Sequence, residues 1–409
     1  MISVFTPTHE PSRLGDLYTC LLEQTTQDWE WIIVPNNGAE LPRFDDPRVK
    51  VHPFLSKPSG IGELKRYACL KASGEILVEV DHDDLIVPTC LERVGEAFAD
   101  PAVCMAYSDW AEVEDGFKPR QYGTGYGWEY YPFTYREHDL LACRSPVVHP
   151  ANFGKIYYAP NHVRAWRRAA YLSMGGHNRR LAVADDHDLV IRSYLFGKVV
   201  RIPECLYLYR VHGENSWLKN VDKIRDLMTA NYVRYIMPMA EKWADDQGLT
   251  KLDLCGGINP REGYASIDLH GGHVTADPND LWPVEDNSVG VIWANDAVEH
   301  LVDPIHTMNE AYRVLVHGGL FIVNVPSTDG PGAWCDPTHH SFWNARSFRY
   351  YTEPAMRRFI EPACHCKFQV VHLVNGRHHE GIPYVFAHLL AVKDGDRIHG
   401  PSHWAQDSL

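Results

Sequence analysis

Three carboxylates stand within four residues of the chain, directly after an apolar run. In the stretch "VEVDHDDLIVP", from Val78 to Pro88, they belong to Asp81, Asp83 and Asp84. Like charges at this spacing repel one another, and the repulsion raises the pKa of at least one carboxyl unless an opposite charge lies nearby. Carboxylate oxygens suit Mg²⁺ or Mn²⁺, which often complete their coordination with phosphate oxygens. The stretch therefore predicts either a divalent-cation site or a hydrated surface turn.

Short strands and amphipathic helices alternate around this stretch. The runs "ISVFTP", "WEWIIVP", "VKVHPF", "EILVEV" and "VCMAYSD" are typical of strands, and helical patterns separate them. Such alternation predicts a mainly parallel sheet with helices on both faces. Ligands of these sheets bind beyond the carboxyl ends of the strands. Asp81 follows the run "EILVEV" almost directly, so we expect it at the ligand-binding edge.

A second alternation of strands and helices begins near Lys251, with the strand-like runs "KLDLCGG", "YASIDLH", "VGVIWAND" and "GGLFIVNVP". Between the two alternations lies one long helical pattern that ends before Gly248, a residue suited to closing a helix. The order of elements predicts two α/β domains and a connector: a first domain over residues 1–216, a helical connector over 217–248 and a second domain over 249–409.

The composition is that of an ordinary globular protein. The 409 residues are 45% hydrophobic and 22% charged, with a formal net charge of -14. This charge gives no general attraction toward nucleic acid or anionic lipid. No apolar run approaches the roughly 18 residues of a membrane-spanning helix, and the N-terminus lacks the pattern of a signal peptide. We therefore expect a cytoplasmic protein whose ten scattered cysteines are mostly reduced.

The motifs of the first domain resemble those of family 2 glycosyltransferases, which have the GT-A fold. The likeness runs from residue 2 to about residue 215, through "SVFTPTHEP", "DWEWIIVPNNG", "GELKRYACLKASGEILVEVDHDDLIVP", "ADDHDL" and "YRVHGENS". It implies a Rossmann-like domain that moves a sugar from a nucleotide sugar to a hydroxyl acceptor, with inversion at the anomeric carbon.

This resemblance implies a role for individual residues. Asp186, with Asp185 beside it, is expected to supply the general base, while Asp83, Asp81 and His212 are expected to hold Mn²⁺ or Mg²⁺. The bound cation would offset the charge that develops on the leaving diphosphate. The residues expected against the nucleotide sugar are Pro7, Thr8, Asn36, Lys65, Arg66 and Asp81.

One departure from the family concerns the nucleotide base. The family often has two acidic residues at the end of the second strand, whereas this chain has Asn36 and Asn37. An amide offers the base other donors and acceptors than a carboxylate does. A UDP-sugar remains the favoured donor, but we expect its base to form different hydrogen bonds from those usual in the family.

The second domain resembles class I S-adenosylmethionine-dependent methyltransferases over about residues 251–392. The likeness rests on "LWPVEDNSVGVIWANDAVEHLVDP", "EAYRVLVHGGLFIVNVP" and "DPTHHSFWNARSFRYYT". A glycine turn between a strand and a helix lets a cofactor approach the backbone, although Cys255 stands where the family usually has glycine. The residues expected to contact S-adenosylmethionine are Gly256, Gly257, Asp268, Asp277, Glu299 and His300. A base for methyl transfer would come from His300, His339 or His340, unless these histidines only bond the backbone.

The sequence thus favours a metal-dependent glycosyltransferase fused to a methyltransferase-like domain, which methylates the sugar or its acceptor or only helps to hold the acceptor. A glycan, a lipid-linked molecule or a hydroxymethylated DNA base, as for some viral sugar transferases, would each serve as acceptor. The net charge of -14 argues against DNA, since phosphate contacts need Lys and Arg. A non-catalytic binding protein is the third possibility, and the ordered motifs argue against it. The oligomeric state is not predicted.

Overall fold

The computed structural model describes residues 1–122, 128–154, 161–213, 215–378 and 380–393. The chain divides into two compact units, which are described separately. The first contains the described residues of 1–148 and 156–235, and the second contains those of 149–155 and 236–393. Within the described residues, no helix combines the length and the apolarity needed to cross a membrane.

The first unit is built on one large mixed sheet. Its strands are β1 (Ile2–Thr8), β2 (Trp29–Pro35), β3 (Val49–Val51), β4 (Ile76–Glu79), β5 (Leu85–Ile86), β6 (Val103–Glu114), β7 (Lys118–Arg120), β8 (Tyr130–Tyr135), β9 (His138–Cys143), β10 (Arg164–Arg167) and β11 (Lys198–Arg210). The helices are α1 (Leu14–Leu22), α2 (Ile61–Lys71), α3 (Cys90–Ala97), α4 (Arg168–Ser173), α5 (Asp185–Phe196) and α6 (Ser216–Lys219).

The main path of this sheet runs in the order β3-β2-β1-β4-β10-β6-β11-β5. The four strands β3, β2, β1 and β4 are parallel to one another, and β10 joins them to β6 in antiparallel pairs on both sides. All seven residues of β1 and all seven of β2 are buried, as expected for strands that have neighbours on both edges and cover on both faces. The predicted parallel α/β sheet is confirmed.

A long helix, α7 (Val221–Asp246), follows α6, and the division between the units falls within α7, between residues 235 and 236. The single helical pattern expected from Trp217 is therefore two helices, which separate at Asn220. Gly248 has a positive φ of 66° and its N–H donates to the Asp245 carbonyl, so it ends the helix as the sequence predicted. The proposed domain limits at residues 216 and 248 stay predictions.

The second unit has a seven-stranded sheet in the order β14-β13-β12-β15-β16-β18-β17. Strands β12 to β16 pair in parallel, and β18 and β17 pair antiparallel at one side. This is the doubly-wound order 3-2-1-4-5 of dinucleotide-binding folds, extended by an antiparallel pair. The strands and helices of this unit are β12 (Thr250–Leu254), β13 (Ala265–Asp268), β14 (Val274–Thr275), β15 (Val289–Asn295), α8 (Pro304–Val314), β16 (Leu315–Pro326), α9 (Gly332–Cys335), α10 (Ala345–Thr352), α11 (Pro354–Arg357), β17 (Phe368–Arg377) and β18 (Pro383–Ala391).

The segment after β12 departs from the usual pattern of dinucleotide-binding folds. In those folds the glycine turn opens a helix, but residues 255–264, all of them described, contain no helix and lead straight into β13. The segment has ten residues, which is short for the crossover between parallel strands. It also contains Pro260 and three glycines, all poor helix formers. Length and composition together explain why a loop replaces the helix.

Candidate functional site

The carboxyl ends of β1, β2 and β4 meet at one edge of the first sheet, because these neighbouring strands are parallel. Pro7 and Thr8 end β1, Asn36 follows β2, and Asp81 follows β4 by two residues. The backbone N–H and the side-chain amide of Asn36 both donate to the Thr8 carbonyl, at 2.9 and 2.8 Å. The Thr8 hydroxyl is buried and has no hydrogen-bond partner among the described residues. The predicted nucleotide-binding residues of these strands therefore share one edge.

The three carboxylates of the acidic run have different surroundings. The side chain of Asp81 is 34% exposed and that of Asp83 is 16% exposed, whereas Asp84 is buried. Asp84 accepts hydrogen bonds from the Tyr207 hydroxyl and from the Arg210 N–H, each at 2.7 Å. Burial, together with the charges of Asp83 and Asp81, raises the pKa of Asp84 well above its usual value. Asp84 thus anchors the run to β11, and the other two carboxylates stay available for a ligand.

Asp83 lies beside the histidine that the sequence placed with it. His212 Nε2 is 2.7 Å from Asp83 Oδ2, although the two residues are far apart in the chain. Burial raises the pKa of Asp81 to about 6, with Lys65 opposing the shift and Glu79 adding to it. A carboxylate that is hard to ionise gains from a nearby cation. Two carboxylates and one imidazole are donors that a divalent metal accepts, so the residue types fit the predicted metal. The structure brings Asp83 and His212 into contact, but ligand atoms of Asp81, Asp83 and His212 do not all lie within 4.8 Å of one another.

A buried network of ion pairs lies under this edge. Lys65 Nζ is 2.6 Å from Glu79 Oε1 and 3.4 Å from Asp185 Oδ2. Arg164, the first residue of β10, is 2.6 Å from Asp186 Oδ2 and 3.4 Å from Glu79 Oε1. Arg164 pairs with Glu79 across the sheet because β10 runs antiparallel to β4. Two cations and three carboxylates therefore connect the end of β4 with the start of α5.

The two aspartates at the start of α5 differ in their affinity for a proton. Burial acts to raise the pKa of Asp186, but Arg164 and Lys65 outweigh it and hold that pKa well below its usual value. Burial raises the pKa of Asp185 to about 6, with Lys65 opposing the shift. Asp186 also accepts a hydrogen bond from the His187 N–H at 2.8 Å. Asp186 is therefore ionised at neutral pH and fixed in direction, whereas Asp185 has the pKa closer to that of an efficient general base.

The neighbouring basic residues occupy two different environments. Lys65 is buried and its ammonium group is engaged by Glu79 and Asp185. Arg66, the next residue of α2, donates to the Gly175 carbonyl and faces a cavity of about 660 Å³. The arginines that line this cavity are Arg66, Arg179, Arg180, Arg192 and Arg234. The nucleotide contacts expected of Lys65 and Arg66 stay predictions.

In the second unit, the glycine turn is bonded to acidic side chains of its own domain. The Gly257 N–H donates to Asp268 Oδ2 at 2.9 Å. A Cβ atom at Gly256 would come within 2.7 Å of Asp253 Oδ2, so a larger residue at this position would displace that carboxylate. A Cβ atom at Gly257 would meet open space, although the φ of 58° at this residue favours glycine. The loop thus leaves room beside Gly257 at the carboxyl ends of β12 and β13.

The other residues expected at the cofactor lie beyond the next two strands, β14 and β15. Asp277 Oδ1 accepts from both the N–H and the side-chain amide of Asn279, at 2.9 Å each. Glu299, four residues past β15, is buried, and burial raises its pKa to about 8 with help from Asp296 and Asp336. His300 Nδ1 lies 3.2 Å from the Thr338 carbonyl. The roles of these residues toward S-adenosylmethionine stay predictions.

Sequence reasoning missed four residues of the first site: Glu79, His162, Arg164 and His177. His177 Nε2 lies 3.8 Å from Asp185 Oδ2, and burial lowers the pKa of His177 to about 3. His162 Nε2 lies 2.7 Å from an Arg164 nitrogen and 3.9 Å from Asp81 Oδ2. A signal for Glu79 exists in the sequence, because a carboxylate inside the apolar run "EILVEV" needs a buried cation. No spacing rule points to the other three.

Two protein-family models match the chain. The model described as glycosyl transferase family 2 matches residues 3–157, and the model described as methyltransferase domain matches residues 249–323. Each match falls within the domain that carries the corresponding motifs.

Similarity to individual proteins is more distant. Chondroitin synthase of Pasteurella multocida (strain Pm70) is 24% identical over 236 residues, which are 54% of this chain and 22% of that protein, so the chain spans about a fifth of this curated relative. A crystal structure of S. aureus TarS is 17% identical, with a TM-score of 0.39, and covers 56% of this chain and 38% of that one. The complex of S. aureus TarS 1-349 with UDP-GlcNAc is 15% identical, with a TM-score of 0.41, over 60% of this chain and 72% of that one. By its family matches, this chain joins a family 2 glycosyltransferase domain to a methyltransferase-like domain.

Proposed function

We propose that the first unit transfers a sugar from a UDP-sugar to a hydroxyl acceptor in a metal-dependent, inverting reaction. The observation that carries this proposal is the contact of Asp83 with His212, at 2.7 Å, at the same sheet edge as Asp81. Arg164 and its partner Asp186 extend from this edge to the start of α5. The edge thus combines donors for a cation with an ionised carboxylate.

Each residue has a defined part in this reaction. Asp81, Asp83 and His212 would hold Mn²⁺ or Mg²⁺, and the bound ion would supply positive charge to the leaving diphosphate. Asp186 would accept the proton of the acceptor hydroxyl as that oxygen attacks the anomeric carbon. Arg164 keeps Asp186 ionised and directs one of its oxygens, while the His187 N–H directs the other. Attack opposite the leaving group inverts the anomeric carbon.

The acceptor that we propose is a glycan hydroxyl. Support comes from the relative named chondroitin synthase, whose match spans 54% of this chain. The net charge of -14 disfavours the alternative of modified DNA, because binding to DNA phosphates requires an excess of Lys and Arg at the interface. DNA binding that weakens steeply with salt would instead support the DNA acceptor.

The proposal is tested by measuring UDP release from UDP-sugars in the presence of Mn²⁺. We expect Asp83→Asn to lower the rate at least about 100-fold, since removal of a group that stabilises developing charge has effects of that size. The matched control is Asp45→Asn, because Asp45 is exposed and pairs only with Arg43 among the described residues. Full activity in Asp83→Asn would refute the metal-dependent mechanism.

We further propose that the second unit binds S-adenosylmethionine at the carboxyl ends of β12, β13 and β15. The match to a methyltransferase domain over residues 249–323 favours this cofactor. The residues present fit it in chemistry, since Asp268 and Asp277 offer carboxylates to ribose hydroxyls and an adenine amine, and Gly257 leaves open space. Calorimetric titration of the full chain with S-adenosylmethionine tests this, and Asp268→Asn should weaken binding at least about tenfold while exposed Asp286→Asn should not.

A further inference from the structure

We propose that Glu299, His300 and His339 form a binding site for a divalent transition-metal ion in the second unit. Glu299 and His300 lie in the short turn that follows β15, and His339 lies in the loop after α9. The proposal does not depend on glycosyl transfer, because none of these residues belongs to the first unit.

The three side chains bring one ligand atom each to a common point. A carboxylate oxygen of Glu299 and one ring nitrogen of each histidine all lie within 4.8 Å of one another. Among the described residues, this is the only group of three or more His, Cys, Asp and Glu side chains with that property. A point at the centre of three atoms that are at most 4.8 Å apart lies within about 2.8 Å of each of them, and ligand atoms bind a transition metal at about 2.1 Å. Each atom would therefore move by at most about 0.7 Å to join one coordination shell.

Backbone carbonyls orient both imidazole rings. His300 Nδ1 lies 3.2 Å from the Thr338 carbonyl, and His339 Nδ1 lies 3.0 Å from the Ala333 carbonyl. His300 Nδ1 also lies 3.1 Å from the Thr338 hydroxyl, which itself donates to Asp336 Oδ1 at 2.6 Å. A carbonyl oxygen only accepts hydrogen bonds, so these contacts favour a proton on each Nδ1. Each Nε2 then has a lone pair for a cation. Histidines that bind metals are held in this way, with the second ring nitrogen donating to a carbonyl or carboxylate.

Glu299 supplies the independent observation that something binds here. The residue is 2% exposed, and neither carboxylate oxygen has a hydrogen-bond partner among the described residues. The N–H groups of Ala297 and of Glu299 itself lie near the carboxylate without completing a hydrogen bond with it. Buried carboxylates are nearly always paired, because leaving one without a partner costs free energy. A cation shared with two unprotonated imidazole nitrogens would provide that partner.

The donor set indicates the type of ion. Two imidazole nitrogens and one carboxylate oxygen suit zinc, cobalt, manganese or iron(II) better than Mg²⁺ or Ca²⁺, which prefer oxygen ligands throughout. Three protein ligands leave at least one coordination position open, as in catalytic rather than structural sites. The open position would take an oxygen ligand such as water or a substrate hydroxyl.

The experiment uses Co²⁺ as the probe, on the untagged full-length chain carrying Asp83→Asn so that the metal site of the first unit is disabled. We expect one Co²⁺ per chain by equilibrium dialysis and a visible d–d absorption band. Adding Glu299→Gln, His300→Gln or His339→Gln should each weaken Co²⁺ binding at least tenfold and remove the band. His340→Gln is the matched control, since His340 is exposed and adjacent to His339 but lies outside the cluster.

Two results would overturn the proposal. One is a His339→Gln chain that binds Co²⁺ as tightly as its parent, and the other is an equal loss in His340→Gln. A folding defect in the buried Glu299→Gln variant does not obscure the test, because His300 and His339 can be replaced separately and circular dichroism reports the fold. Failure of UDP release in the first unit leaves this result unchanged, so the two proposals can fail independently.

Discussion

The neighbouring residues Asp83 and Asp84 differ in exposure and in hydrogen-bond partners. Asp83 is partly exposed beside His212, whereas Asp84 is buried against Tyr207 and the Arg210 N–H. The repulsion within the run is thus divided between a partly exposed pair, Asp81 and Asp83, and a buried group whose raised pKa favours the neutral form. The prediction that the run holds a cation applies to Asp81 and Asp83 only.

Asp84→Asn is expected to keep most of the activity that Asp83→Asn loses. The raised pKa of Asp84 already favours a neutral carboxyl group, and the amide is neutral too. The amide oxygen can still accept one of the two hydrogen bonds that Asp84 accepts. We expect UDP release within about fivefold of the parent and a loss of about 1–3 kcal/mol in the free energy of unfolding, from the one bond left unmade. Steady-state rates and denaturant unfolding measure both. An inactive but well-folded Asp84→Asn chain would show that Asp84 contacts the ligand.

Asp186→Asn should remove the base without removing the donor site. We expect kcat to fall by about 10²–10⁴, the usual contribution of general base catalysis, with little change in KM for the UDP-sugar. The control is Asp188→Asn in the same helix, because Asp188 forms an ion pair within α5, with Arg192 at 2.6 Å. Equal losses of kcat in both variants would mean that damage to α5, and not loss of a base, explains the effect.

At the scale of elements, the end of β4 and the start of β10 are connected by an ion pair as well as by their pairing in the sheet. Glu79 ends β4 and contacts Lys65 of α2 and Arg164 of β10. Burial acts to raise the pKa of Glu79, but Arg164 and Lys65 hold it well below its usual value. The network therefore ties a helix and two strands together directly beneath Asp81.

Glu79→Gln should destabilise the first unit, because Lys65 and Arg164 lose the carboxylate they share and keep only Asp185 and Asp186 as carboxylate partners among the described residues. We expect a loss of about 1.5–3 kcal/mol at pH 7, the usual contribution of hydrogen bonds to charged groups. The control is Glu75→Gln, since Glu75 is exposed just before the same strand. Calorimetry of the full chain should show a lower apparent Tm in Glu79→Gln only.

The carboxylate of Glu79 makes the free energy of unfolding depend on pH, in a direction that follows from its lowered pKa. The pKa of Glu79 is lower in the folded chain than in the unfolded chain, so its contribution is present above pH about 4.5 and is lost as pH falls below that value. The difference in apparent Tm between the parent and Glu79→Gln should therefore shrink as the pH is lowered from 5 toward the folded-state pKa. A difference that is constant with pH would contradict an ionised Glu79.

At the scale of the whole molecule, each of the two compact units carries a mixed sheet with acidic residues beyond the carboxyl ends of its parallel strands. The first edge combines Asp81 and Asp83 with His212, and the second combines Asp268 with Glu299 and His300. The units have separate cores, so ligands of one site need not stabilise the other unit. Stability measurements can therefore assign each ligand to its unit.

UDP with Mn²⁺ and S-adenosylmethionine should each raise an apparent Tm of the full chain, because a ligand that binds only the native state stabilises it. At 100 times Kd the gain is about 2.7 kcal/mol. Asp83→Asn should abolish the effect of UDP with Mn²⁺ and leave that of S-adenosylmethionine intact, while Asp268→Asn should do the reverse. Loss of both effects in either single variant would show that the sites are not independent.

The sequence by itself determined the two α/β domains and the sheet edges at which we expect their ligands to bind. Apolar runs of β1 and β2 are long enough to require burial, and strand–helix alternation admits few arrangements other than parallel sheets. Since the carboxyl ends of parallel strands share an edge, Thr8, Asn36 and Asp81 were placed correctly relative to one another. The local pattern of apolar and polar residues was sufficient to predict the strands and helices, and their order along the chain was sufficient to predict the sheets.

Only the tertiary structure decided which charges pair. It separated Asp84 from Asp83, gave Glu79 the partners Lys65 and Arg164, and brought His339 next to Glu299. Such contacts join residues from distant parts of the chain, and their energies depend on burial, which no local spacing encodes. The loop after β12 has a different origin, because its shortness, Pro260 and three glycines are properties of the sequence itself.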